Sequence, residues 1–600
     1  MVKTPQRHRG HRENNTKNLN PNFENMSIKQ IVLFSIPAVF LFQFSAFSQE
    51  KELDPEVVNI VKPYTPTISD AFKVKETPSL NDSISTTKKE VKYSIFSVPV
   101  ASTFTPTKGT ATTVEKAKPI KLYDNYATLG FGNYTSILGE FYSNFEISRT
   151  DNAGFFFRHN SSQGDIKDVK LDNKYYDTSL DANFTSRQKN ATYRLDAGVE
   201  HQLYNWYGVP DIVYIQEPLV TIDPQQTYIS GYAGGSMTFD DSFFEKANVN
   251  IRYLGDAFSS SEFNATLKPE FSFPLENLTF KIDGDIDYLS GSFDRNYDNT
   301  SDIKYSYLNA GLAPSITFVN DDLSVSLGVA GYVSLDSENS DSDFSLYPRL
   351  NASYRLLDET VIVYGGAEGG LQQNSYYNFK EENPFVSPTL NIAPTKKLYE
   401  GFGGIKGKLS NSVAYNVRAS YGKDENRALF QANPINLLAG LEGYEFGNSF
   451  NVVYDDVNTL AFFGELKVEV SDVFTFGLNA NYYSYSTDIQ NQAWNLPDLK
   501  ASVFSNFNIT KELYGGASIF YVGERKDLIV YPAVLGNPSP QEVTLDGYID
   551  ANLSFGYRFT DRLSVFVKGS NLFGDNYEKW MNYPVQGIQG LAGVTYKFDW

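Results

Sequence analysis

Cysteine is absent from all 600 residues, which excludes disulfides, thiolate metal sites, thiol nucleophiles and a lipid-modified N-terminal cysteine. Histidine is nearly as scarce. Of the four, only His159 and His201 lie beyond the first dozen residues. Both fall at the end of an alternating run just before a loop, where they read as rim residues rather than the base of a nucleophile–base pair. No HExxH, P-loop or phosphate-cradling glycine motif is present, so neither an enzyme nor a cofactor is expected. Positive charge is also in deficit. Against 71 Asp and Glu stand 51 Lys and Arg, net −20, which argues against nucleic acid as a partner. Long apolar runs are almost missing too. A mean hydropathy of −0.35 and a hydrophobic content of 41% rule out a polytopic helical membrane protein.

The single long apolar stretch is Ile31–Phe47, interrupted by Ser35, Pro37, Gln43 and Ser45. With Lys29 before it and Ala46-Phe47-Ser48 after it, it reads as a secretory signal cleaved after Ser48. Met26 offers an alternative start. Residues 1–48 are therefore expected to form an N-terminal extension and signal peptide.

Residues 49–122 are rich in Thr, Ser, Lys and Pro, with eleven Lys and nine acidic residues. Prolines spaced in this way favour extended backbone, and an extended periplasmic segment is expected. Beyond it the charge changes sign: 34 basic and 60 acidic residues remain in 123–600.

What the sequence does have is aromatic residues, 41 Tyr, 45 Phe and 4 Trp, or 15%. They sit in segments of period two. Leu323, Val325, Leu327 and Val329 alternate with Ser324, Ser326, Gly328 and Ala330; Phe474, Phe476, Leu478 and Ala480 alternate with polar or small residues. Such runs last 10–14 residues, beyond the ~5–6 of soluble strands and suited to a tilted bilayer crossing of ~9–11. Strands facing hydrocarbon must pair every backbone amide, so they must close into a barrel. Short connections (Asn320-Asp321-Asp322, Leu357-Asp358, Ser410-Asn411, Thr560-Asp561) alternate with long ones near 204–225, 372–397, 422–445 and 524–544. Short turns belong at the periplasmic rim and long loops outside. The tally is twenty-three, and an even number is expected. Ala428–Gln431 is either one more strand or part of a loop. The fold class is all-β: a large transmembrane antiparallel barrel of about twenty-two strands over 123–600, in a Gram-negative outer membrane and surrounded by its lipids.

Three sets of residues stand out as candidate sites. Lys281, Asp283, Asp285 and Asp287 occupy alternate positions opposite in parity to Ile282 and Ile286, so they should face the lumen. With Glu262 and Glu270 on the preceding strand they suggest an acidic lumen row that could favour cations or dock the Lys-bearing tail. Trp206, Tyr376, Tyr377 and Trp494 fall in long connections, where exposed aromatics could grip a ligand or a partner. Tyr596, Phe598 and Trp600 lie on one face of the last strand. That pattern looks like the signal that outer-membrane barrels present to the barrel-assembly machinery.

The stretch Val567-Lys568-Gly569-Ser570-Asn571-Leu572-Phe573-Gly574-Asp575-Asn576-Tyr577, then Tyr583-Pro584 and Gly587, resembles the last hairpins of TonB-dependent outer-membrane receptors of the Bacteroidetes type. Ala493-Trp494-Asn495-Leu496-Pro497 and Tyr521–Lys526 are similar to earlier hairpins of that family. The resemblance covers roughly 490–600. It implies a receptor for an unidentified ligand, with TonB and a surface lipoprotein or other envelope proteins as partners of the 49–122 segment and the loops. Glu56, Val57, Val58, Ile60 and Val61 loosely resemble the box through which such receptors meet TonB. The family also carries a plug domain, which the 74 residues of 49–122 do not resemble. The lumen must then be filled by loops, by that segment or by a partner, or stand open. Two other functions fit the same fold: a non-transporting scaffold or accessory subunit of an envelope complex, and a passive, cation-preferring porin.

Overall fold

The computed structural model describes residues 122–211, 222–436, 441–471, 473–531 and 540–600. The signal peptide, residues 49–121 and the Glu56–Val61 box lie outside the described residues.

Twenty-two antiparallel strands form one sheet, each joined to its neighbours in sequence order. The sheet closes where Asn125–Gly132 pairs with Gln589–Phe598, in a register running from Asn125 opposite Phe598 to Gly132 opposite Leu591. Closure leaves no free edge, as a lipid-facing sheet requires. Two small hairpins form sheets of their own outside the barrel sheet, Arg525–Val530 with Pro540–Leu545 and Glu578–Trp580 with Tyr583–Pro584.

The period-two pattern sorts the side chains. Leu327, Val329, Val333 and Leu335 point outward and are exposed, while Ala330, Tyr332 and Ser334 between them are buried within the barrel. Along Phe450–Ser471 the outward apolar positions run from Leu460 to Val470. At ~3.3 Å per residue and a tilt of ~40° this spans about 25 Å, the height of an outer-membrane apolar band.

The connections at the rim that carries both barrel ends are all short, residues 320–322, 358–360 and 411–412 among them, although 133–136, 257–260 and 337–340 make short turns at the other rim. Asp358 adopts a φ of 46° in its turn, the left-handed conformation that a tight reversal uses and that Asp tolerates. The long connections, among them 206–224, 373–394, 433–449 and 571–588, all lie at the opposite, outer rim.

The walls differ greatly in height. Strands beside the closure are short, 8 residues for Asn125–Gly132 and for Leu563–Ser570, whereas Val413–Ala432 has 20 and Phe450–Ser471 has 22. The extra length lies on the outer side. Ala428–Gln431, left open between a strand and a loop by sequence, is the upper end of Val413–Ala432. A register shift between Asp424 and Arg427 interrupts the alternation at that point, and a bulge of this kind hides a continuous strand from a period-two reading.

Candidate functional site: a lid folded into the outer mouth

The connection 373–394 does not stand away from the barrel. It turns inward and carries a short helix, Tyr376–Glu382 (α1). Ser375 caps it, its hydroxyl accepting the Asn378 N–H at 3.1 Å. The helix stops at Asn383, whose N–H reaches Phe379 O at 2.8 Å, and the following Pro384 forbids continuation.

The apolar side of α1 buries Tyr376 and Phe379. Tyr376 packs edge-on against Phe293, centroids 4.9 Å apart, and Phe379 against Phe430 at 5.7 Å. Neighbouring connections finish the roof. Phe385 stacks on Tyr583 with centroids 3.8 Å apart, and Trp206 Nε1 donates to Phe385 O at 3.1 Å. The Tyr583 hydroxyl donates to Asn448 O. Segments far apart in sequence thus share one buried apolar core inside the outer mouth.

Charge fixes α1 to the wall. The buried Glu262 carboxylate, on Ser261–Leu275, accepts the N–H groups of Tyr376 (2.6 Å) and Tyr377 (3.0 Å) and the Tyr305 hydroxyl (2.8 Å). It therefore meets the unpaired amides and positive dipole end of the first helical turn. The Lys380 ammonium is buried between Glu200 (3.4 Å), Glu381 (2.7 Å) and the Gln202 side-chain oxygen, with the Tyr377 ring 4.5 Å away. The Tyr376 hydroxyl donates to Asp256 at 2.8 Å, and Arg252 lies 3.9 Å over Tyr377. Below α1 a polar cavity of about 50 Å³ is bounded by Arg252, Glu262, Asn264, Asp287 and Ser375.

The lumen row lies on the strand Leu278–Phe293. Asp283 is 3.6 Å from Arg349, and the Tyr332 hydroxyl donates to Asp285 at 3.3 Å. Both partners belong to strands that are not neighbours of this one, so the contacts can be made only across the concave inner face. Lys268 lies 3.7 Å from Asp285, Lys246 lies 3.5 Å from Glu270, and Asn264 Nδ2 donates to Asp287 at 2.7 Å. The row is thus a mesh of cross-strand pairs rather than an uncompensated acidic patch. Glu262 leaves it altogether to hold α1.

The loop aromatics need correcting. Trp206, Tyr376 and Trp494 are only 1%, 0% and 2% exposed, so they are packing residues and offer no face to a ligand. Nor do the four converge. Trp494 packs with Leu429 and Val457 in a separate cluster from the core that holds Trp206 and Tyr376, and Tyr377 is half-buried beneath Arg252. On the last strand Tyr596 is exposed, and Trp600, two residues beyond the strand's end at Phe598, is exposed and packs against Phe598 at 5.2 Å. His159 bonds the Thr178 and Ser161 hydroxyls at 2.7 and 3.0 Å. Sequence reasoning missed Lys380, Glu200, Gln202 and Asp256. A signal for their helical partner was nevertheless present, since Ser375 followed nine residues later by Pro384 marks a helix start and stop.

A closed barrel of twenty-two antiparallel strands, apolar outside and polar within, places the chain in a Gram-negative outer membrane. No family model and no curated protein matches it in sequence. Solved structures do match in fold. The FrpB iron transporter from Neisseria meningitidis (F3-3 variant) is 12% identical at a TM-score of 0.61, covering 80% of this chain and 82% of its own. The siderophore receptor PirA from Acinetobacter baumannii is 14% identical at 0.59, covering 80% and 81%. The ferric-catecholate import receptor Fiu from E. coli K12 is 11% identical at 0.58, covering 79% and 82%. The chain therefore shares the barrel fold of these proteins.

Proposed function

We propose that the chain is an outer-membrane receptor of the TonB-dependent type that takes up an external ligand, made as a precursor with a signal at 1–48 and a periplasmic segment at 49–122. The observation that carries this reading is the lid. A barrel of receptor size has its outer mouth closed by its own long connections, so entry is gated. TonB would act through Glu56–Val61, a surface lipoprotein would meet the outer loops, and the assembly machinery would read the strand bearing Tyr596, Phe598 and Trp600. The test is gentle purification from native outer membrane with neighbours attached, paired with deletion of residues 56–61. Capture of TonB and loss of nutrient uptake on deletion are the expected results. Unchanged uptake and no TonB would overturn the reading.

A second reading, a non-transporting scaffold within an envelope complex, is favoured by one observation: the mouth is closed by a packed aromatic core rather than by thin loops. It expects assembly or secretion components to co-purify. A passive cation porin draws no support from a closed mouth and a charge-paired lumen row.

A further inference from the structure

Three features of the lid stand out together. Its two feet are tied. Asn374 Nδ2 donates to Ala393 O and to Thr395 Oγ1, both at 2.8 Å. The ends of residues 373–394 are thus pinned to each other, as in compact surface loops whose ends lie close together. Second, beside aromatic contacts such as Tyr376 with Phe293 and Phe379 with Phe430, its contact with the barrel wall includes buried charge at Lys380 and Glu262. A buried ion pair adds little stability over well-packed apolar side chains, and it is strongly destabilising when one partner is lost. Third, Glu262 borders a polar cavity together with Arg252, Asn264 and Asp287, so its carboxylate faces polar groups on that side and not the aromatic core.

We propose that residues 373–394 are a lid latched shut by Lys380 and Glu262, and that loss of either contact opens the outer mouth. The latch has two halves. Glu262 holds the start of α1 through the Tyr376 and Tyr377 amides, and Glu200 with Gln202 holds Lys380 one turn later. When the lid lifts, both charges exchange protein partners for water, which apolar contacts cannot do favourably. Other ties also hold the lid, among them Phe450 N–H to Phe385 O at 3.0 Å, Ser387 N–H to Phe450 O at 2.9 Å, and hydroxyl bonds from Tyr228 to Pro384 O and from Tyr376 to Asp256. These are common to every variant below. The device is independent of what crosses the barrel, so its failure would leave the uptake reading standing.

The test uses the full chain, purified and reconstituted in planar bilayers. Lys380→Met and Glu262→Gln each keep the side-chain volume and remove the charge. Each should raise the time spent in a conducting state at least tenfold over the parent. Lys380→Glu should do the same, and adding Glu200→Lys should return conductance towards the parent by restoring the pair in reverse. Resistance of the unheated samples to SDS verifies that each barrel has folded. Folded variants that conduct like the parent, or a rise that the charge swap fails to reverse, would overturn the latch. The roof would then be held by its aromatic packing and not by these two charges.

Discussion

Replacing Trp206 with Ala tests whether the roof is a separate packing unit. The indole is 1% exposed, lies 5.3 Å from both Phe258 and Tyr444, and donates to Phe385 O. A buried Trp→Ala change costs ~3–5 kcal/mol, and the lost hydrogen bond to Phe385 O, which keeps the Phe450 N–H as its other donor, adds roughly 0.5–1.5 kcal/mol. Taking about 4 kcal/mol as the local loss, and tenfold per ~1.4 kcal/mol, amide exchange in 373–394 should accelerate about a thousandfold. The barrel ladder should hold its protection, because each strand is hydrogen-bonded on both sides in a closed sheet. Hydrogen exchange read by mass spectrometry, in detergent at fixed pH, separates the two regions. Trp206→Phe keeps much of the packing and should show a much smaller effect. Uniform loss of protection over roof and strands would refute the argument, since roof and barrel would then unfold as one unit. An unchanged exchange pattern would refute it differently, by showing that Trp206 contributes nothing to the core.

Other perturbations follow from the same contacts. Asp527 is buried in the outer hairpin, accepts the Ala432 N–H and the Asn495 side-chain amide, and is pushed up by burial to about 6. Its folded value lies above the ordinary carboxylate value, so the native state binds the extra proton between roughly pH 4 and 6. The hairpin should be more protected from proteolysis at pH 5 than at pH 7.5, and Asp527→Asn should abolish that difference. At Gly311 a Cβ would lie 2.3 Å from the Tyr332 ring. Gly311→Ala should displace that ring from Asp285 and cost ~1–3 kcal/mol in urea unfolding, whereas Gly370→Ala, with nothing within 4 Å, should be far milder. Deleting residues 596–600 removes the closing pairs Tyr596–Ala127 to Phe598–Asn125. It should sharply lower the amount of folded barrel in the outer membrane, measured by immunoblot of unheated samples.

The barrel was legible in sequence because lipid imposes a rule on every strand. Outward residues must be apolar and inward ones need not be, so Leu323–Asp336 announces itself without reference to its neighbours. The roof has no such rule. Trp206 and Phe385 lie 179 positions apart, and an aromatic residue in a long connection reads the same whether it waits for a ligand or is already packed. The lumen row shows the boundary between the two. Parity alone aims Asp283 and Asp285 inward, yet their partners Arg349 and Tyr332 sit on strands beyond the nearest neighbour, and only barrel curvature brings them within reach. Glu262 shares the parity of its strand-mate Glu270 but lies near the outer end of the strand, where a helix start descends to it. The bulge at Asp424–Arg427 likewise conceals a strand that continues past it.

The unequal walls make the molecule lopsided where it meets the outside world. On one side Val413–Ala432 and Phe450–Ser471 rise like a parapet well past the lipid, buttressed by the hairpin around Asp527; beside the closure the wall ends near the headgroups. A bulky visitor meets a lower strand wall on that side. Any complex formed there has a fixed compass bearing, set by strand length before any side chain is read.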